Sequence, residues 1–164
     1  ADSAALSQFH VIRRNGAVTL DGTAYLAAVD PDAWGLYRWL ERNAGPGDVV
    51  VEAAGDEYDG STSRLSAWTG VPTVLGWPGH EAQWRGDERE VQARLADLDR
   101  LYRSEDAREV VALMQRYDAT ILAIGGRERA LYGIDAERMA WYAGFMEPVY
   151  AQGLDRLYRL PAAF

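Results

Sequence analysis

The sequence predicts an α/β fold: a mostly parallel central sheet between flanking helices, three-layer-like, finished at one edge by a C-terminal antiparallel hairpin. Three observations point there. Short Val- and Ile-rich apolar runs at Asp48–Ala54, Pro72–Leu75 and Ala119–Ile124 read as strands buried on both faces. Segments with helical apolar spacing separate them, which implies right-handed crossovers between parallel strands. The tail carries two strand-like runs, Pro148–Gln152 and Arg156–Leu160, around Gly153, as a hairpin does.

Along the chain, residues 1–19 form a weakly determined leader and 20–164 a single domain. Val18–Leu26 holds a short extended run broken by Asp21 and Gly22. Asp30 fits a helix N-cap and Pro31 the first turn; Ala33, Trp34, Tyr37, Leu40 and Ala44 then keep helical spacing until Gly45-Pro46. After the first buried strand, Ser61–Thr69 makes two helical turns ending at Gly70, with the hydroxyls of Ser61, Thr62 and Ser63 as caps. Pro72–Leu75 gives the second strand, and Pro78–Gly86 reads as a loop. Asp87 with Glu90 opens a helix whose apolar face is Val91, Leu95, Leu98 and Tyr102. Ser104 caps the next, with Val110, Leu113, Met114 and Tyr117 inward. The third strand stops at Gly125-Gly126, and Asp135–Tyr142 is a short helix closed by Gly144.

At 164 residues, 48% hydrophobic and 26% charged, the composition is that of a globular domain. The absence of cysteine excludes disulfide and thiolate-metal chemistry. A net charge of −8 argues against nucleic acid or an anionic membrane surface as main partner. No stretch approaches the ~18 apolar residues of a membrane span, and the N-terminus lacks a signal-peptide pattern, so the segment reads as soluble by itself.

Ligands in open α/β sheets favour the crevice beyond the carboxyl ends of the strands. Glu52, Asp56, Glu57 and Asp59 follow the first strand, and Gly125-Gly126-Arg127-Glu128-Arg129 the third. The segment after the second places Trp77, His80, Glu81, Trp84 and Arg85 within nine residues. Such a set can stack a sugar ring and hydrogen-bond its hydroxyls, or clamp an acidic group. The same residues can equally be packing indoles beside polar groups that pair with one another. His80-Glu81 begins like a zinc-protease motif, but Trp84 stands where the second His belongs. The acidic cluster could hold a hard cation or supply an acid–base pair, or be a solvated loop. Neither a nucleophile elbow, a dinucleotide fingerprint nor a Walker loop is present, and His10 has no catalytic setting.

The stretches Leu20–Leu26, Val51–Gly55, Ser63–Arg85 and Leu101–Arg103 resemble the C-terminal soluble part of the YYY membrane-protein family. Thr69-Gly-Val-Pro-Thr-Val-Leu-Gly-Trp77 and Gly79-His-Glu-Ala-Gln-Trp-Arg85 carry it most specifically. These multi-spanning proteins of unknown function are similar to membrane-embedded glycosyltransferases that use lipid-linked sugar donors. The family pattern more often has Pro after the first Gly of Gly125-Gly126, and no role is carried onto Gly126 or Arg127.

The resemblance implies an extracytoplasmic domain at the cell membrane, attached to a membrane-embedded part of the parent protein and inactive alone. It implies that the domain binds an acceptor or the sugar-phosphate part of a donor. Trp77, His80, Glu81, Trp84 and Arg85 would be contacts, with Glu52 and Arg64 neighbours across the crevice. No cofactor, metal site or catalytic residue is expected; the partners are a saccharide or lipid-linked sugar and the membrane part. Two other readings stand beside this one. The first is a free-standing metal-assisted hydrolase or sugar-phosphate enzyme built on Glu52, Asp56, His80 and Glu81; the second is a structural docking or dimerisation module.

Overall fold

The computed structural model describes residues 13–14, 17–18, 22–55 and 62–162. His10, Asp56, Glu57, Asp59 and Ser61 lie outside them. Strands β1 (Arg13–Arg14) and β2 (Ala17–Val18) pair antiparallel. Helix α1 (Gly22–Val29) follows where the sequence suggested an extended run. Helix α2 (Pro31–Asn43) starts as the caps predict, the Ala33 amide donating to Asp30 Oδ1 at 3.0 Å.

The remaining elements are β3 (Val50–Val51), α3 (Arg64–Thr69), α4 (Pro78–Arg85), α5 (Glu88–Arg103), α6 (Ala107–Arg116), β4 (Ile121–Ile124), α7 (Gly126–Tyr132), α8 (Ala136–Ala143), β5 (Glu147–Gln152) and β6 (Asp155–Arg159). The main sheet runs β3-β4-β6-β5, and only β3 with β4 is parallel. The expectation of a mostly parallel sheet is therefore corrected: α/β with flanking helices holds, but the ladders are mainly antiparallel. The tail hairpin places β6 directly against β4, the position a parallel neighbour would need. Pro72–Leu75 joins the sheet by a single bridge, Thr73 to Val50, with the Pro72 carbonyl accepting from the Val50 amide at 2.8 Å. Pro72 has no N–H with which to extend that ladder.

Alternation along the strands builds two cores. Val50, Ile121, Ala123 and Leu157 face Leu36 and Leu40 of α2 and Leu65 of α3. Val51, Leu122, Ile124 and Tyr158 face the opposite way, onto α5, α6 and α8 through Leu98, Leu101, Tyr102, Val110, Met114 and Tyr142. Tyr102 ties the layers by donating its hydroxyl to the carbonyls of Val51 and Ala123, at 3.2 and 3.0 Å. At the entrance to β3, Asp48 accepts from Arg159 of β6 at 2.8 Å and from the Thr120 hydroxyl at 2.6 Å. Those bonds hold its carboxyl down at about 2.

Two segments expected as loops are helices. Pro78 occupies the first turn of α4, where a missing N–H costs nothing, and Gly86 ends it at φ 68°. In α7, Glu128 reaches back to the Gly125 amide at 2.8 Å, and Gly133 closes the helix at φ 69°. Ser104 is the C-cap of α5, and Asp106, accepting from the Arg108 amide, starts α6.

Candidate functional site

The aromatic segment forms one wall of a pocket because it is helical. Trp77, His80 and Trp84 fall at i, i+3 and i+7 and so share a face of α4. Their ring centroids are 5.7 Å apart for Trp77–His80 and 5.9 Å for His80–Trp84. The opposite wall is a small-residue face of α3, namely Ser63, Ser66 and Ala67. Between them lies a half-open cavity of about 190 Å³, bordered also by Gly76 and Glu81. Trp84 is 80% exposed and forms its outer lip.

Two polar atoms inside this wall are unusual. The Ser63 Oγ and the Trp77 Nε1 are buried and have no hydrogen-bond partner among the described residues. Ser63 occupies the N-cap position of α3 at φ 50°, in left-handed backbone, and its side chain does not cap. This corrects the reading of the Ser63 hydroxyl as a helix cap.

Glu52 has taken that task. It leaves the end of β3 only 1% exposed, and its two oxygens accept from the amides of Leu65 at 2.8 Å and Ser66 at 2.9 Å. Burial outweighs those bonds and pushes its carboxyl up to about 7, with the nearby Glu128 charge acting in the same direction. Glu52 is thus an internal clamp on α3 and not a member of a solvated acidic loop. Glu128 is also buried, and holds the amides of Ala53 at 2.9 Å and Gly125.

The expected site residues divide accordingly. Trp77, His80, Glu81 and Trp84 meet around the cavity. Glu81 turns its carboxylate to the Gly76 amide at 2.6 Å and to Arg85 Nε at 2.8 Å. Arg85 is outside the cavity lining, between Glu81 and Glu90. Arg64 lies at the start of α3 and pairs with Asp30 at 2.8 Å. A Cβ on Gly125 would come within 2.9 Å of its Nη2. Neither Glu52 nor Arg64 is among the residues that line the cavity: Glu52 holds the first amides of α3, and Arg64 opens that helix. Ser66 and Ala67 were absent from the expected contacts; their spacing from Ser63, at i+3 and i+4, is the sequence signal that marks a shared helical face.

Glu52 and Glu81 spend their oxygens on the chain's own donors, and among the described residues no group of three or more metal-ligating side chains occurs. A second, more open groove of about 600 Å³ lies between the end of α5 and α8. Its two cations are committed: Arg103 to the carbonyls of Leu131 and Tyr132, Arg138 to those of Tyr102 and Ser104. Their guanidinium groups also cover the rings of Tyr132 and Trp141. The smaller cavity combines the exposed indole of Trp84 with the partnerless Ser63 Oγ and Trp77 Nε1, whereas in the larger groove the unpartnered atom is Nε of an arginine whose Nη2 is already committed. Among the described residues no helix is long and apolar enough to cross a membrane. No protein-family model, curated protein or solved structure matches the chain.

Proposed function

We propose that this domain binds a saccharide between α3 and α4, as the extracytoplasmic accessory part of a multi-spanning, glycosyltransferase-like membrane protein, and is not catalytic alone. The observation that carries the binding reading is the pairing of buried, partnerless Ser63 Oγ and Trp77 Nε1 with the aromatic surface of one small cavity. A buried polar atom left without a partner costs about 1–3 kcal/mol, which a ligand hydroxyl would recover on displacing the side chains that cover it. Indole faces supply the apolar contact that a sugar ring offers on its C–H side. At about 190 Å³ the cavity is below the size of drug-sized ligand sites, and suits one ring with the rest of a glycan outside. The membrane attachment and the link to transfer chemistry rest on the resemblance of Thr69–Trp77 and Gly79–Arg85 alone.

Tryptophan fluorescence and calorimetry with a panel of mono- and oligosaccharides, polyprenyl-phosphate sugar analogues and nucleotide sugars test the reading. Saturable binding that weakens in Trp77→Phe and Ser63→Ala, with folding retained, is the expected result. The absence of binding across the panel would overturn it. The docking alternative has its own support in the exposure of Trp84 and in the Glu81–Arg85–Glu90 pairing, which stabilises α4 without any ligand.

A further inference from the structure

Resting on that reading, we infer that the cavity takes an uncharged sugar ring, as on an acceptor glycan, and discriminates against sugar phosphates and nucleotide sugars. Proteins bind phosphate with guanidinium groups, helix N-termini and exposed backbone amides. Around this cavity these devices are largely occupied by the chain's own groups, mostly carboxylates.

The N-terminus of α3, which forms one wall, is held by Glu52 through the Leu65 and Ser66 amides. The Gly76 amide, at the cavity edge, is held by Glu81. At the start of α4, Pro78 has no N–H and the Glu81 amide is held by the Trp77 carbonyl at 3.0 Å. The nearby guanidinium groups are committed likewise: Arg64 to Asp30, Arg85 to Glu81, and Arg94 to Glu90 and the Val74 carbonyl. Among the described residues no arginine lines the cavity, whereas Glu81 does. A phosphate entering would meet like charge at short range, inside a chain of net charge −8. What the cavity offers is two indoles, an imidazole, serine hydroxyls and ring surface, and those match hydroxyls and C–H faces.

The test is titration calorimetry of the whole chain. Methyl glycosides of glucose, galactose, mannose and N-acetylglucosamine are compared with the 1-phosphates of the same sugars and with inorganic phosphate alone. The expected result is that at least one methyl glycoside binds and that its 1-phosphate binds roughly tenfold more weakly. Raising the salt should narrow that gap. A 1-phosphate that binds as tightly as its glycoside, or more tightly, would overturn the inference while leaving saccharide binding in place. Silence from every glycoside and every phosphate would overturn both together. Glu81→Gln supplies a second readout: the ratio of phosphate affinity to glycoside affinity should rise, and an unchanged ratio would overturn the role given to the Glu81 charge.

Discussion

Trp84 and Glu52 mark the two extremes of side-chain environment at the site, and each allows a prediction. Trp84 is 80% exposed, so truncating it removes little packing. Trp84→Ala should change unfolding free energy by no more than about 0.5 kcal/mol, the range for surface substitutions, yet reduce saccharide affinity several-fold. A large loss of stability in urea denaturation would place the indole in the fold instead of the site. Glu52 is the reverse case. Its folded pKa, about 7, lies above the ordinary 4.5, so the folded state keeps a proton that the unfolded chain releases. Stability must then fall as pH rises from about 4.5 to about 7, by about 3 kcal/mol in total. Glu52→Gln should abolish that slope. It should also cost about 1–3 kcal/mol at acid pH, because an amide NH2 cannot accept from a backbone N–H. Denaturation curves across this range check both; an unchanged slope in the variant would show that another group titrates.

At the level of elements, caps and apolar periodicity made α2, α5, α6, α8 and the hairpin legible, since Asp30, Asp87, Asp135 and Gly153 act locally as such residues do anywhere. The sheet's direction was less legible. Val50–Val51 and Ile121–Ile124 are buried on both faces, but burial on both faces requires only that helices cover the sheet, and an antiparallel neighbour satisfies it as well as a parallel one. In α4 the richness of Trp, His and Glu obscured a helix that Pro78 and Gly86 delimit. The Glu52 clamp could not have been read at all, because a cap supplied from another strand has no local spacing. Packing between elements can be tested at Gly35 of α2, which faces β5. A Cβ there would lie 1.9 Å from the Tyr150 hydroxyl. Gly35→Ala should therefore destabilise by about 1–3 kcal/mol, the range for overpacking, despite the better helix propensity of Ala. Adding Tyr150→Phe removes the clashing oxygen and should restore part of the loss in a double-mutant cycle. Strict additivity would mean that α2 and β5 do not press on each other there.

Across the whole molecule, the carboxyl groups on either side of edge strand β3 titrate in opposite senses. Asp48 at its start has a folded pKa of about 2, below the ordinary 3.8, through its bonds to Arg159 and Thr120. Its stabilisation, about 2 kcal/mol, is present above pH 4 and is lost as the pH falls through 2. Glu52 at the other end loses stability toward neutrality. Asp155, buried and also raised, adds to the same side. Net charge reinforces the pattern: the chain carries −8 at pH 7 and approaches zero near pH 4.7, so self-repulsion grows toward neutrality. The melting temperature should consequently peak between about pH 4 and 5, instead of at neutral pH, and salt should raise it more at pH 7 than at the peak. Asp48→Asn should flatten the acid limb only, and Glu52→Gln the neutral limb only. The two residues sit about 13 Å apart along an extended chain, so the double variant should show the sum of the two effects. A melting temperature that instead climbs from pH 5 to 7 would mean that Glu52 is ionised in the folded protein and that its amide bonds outweigh its burial.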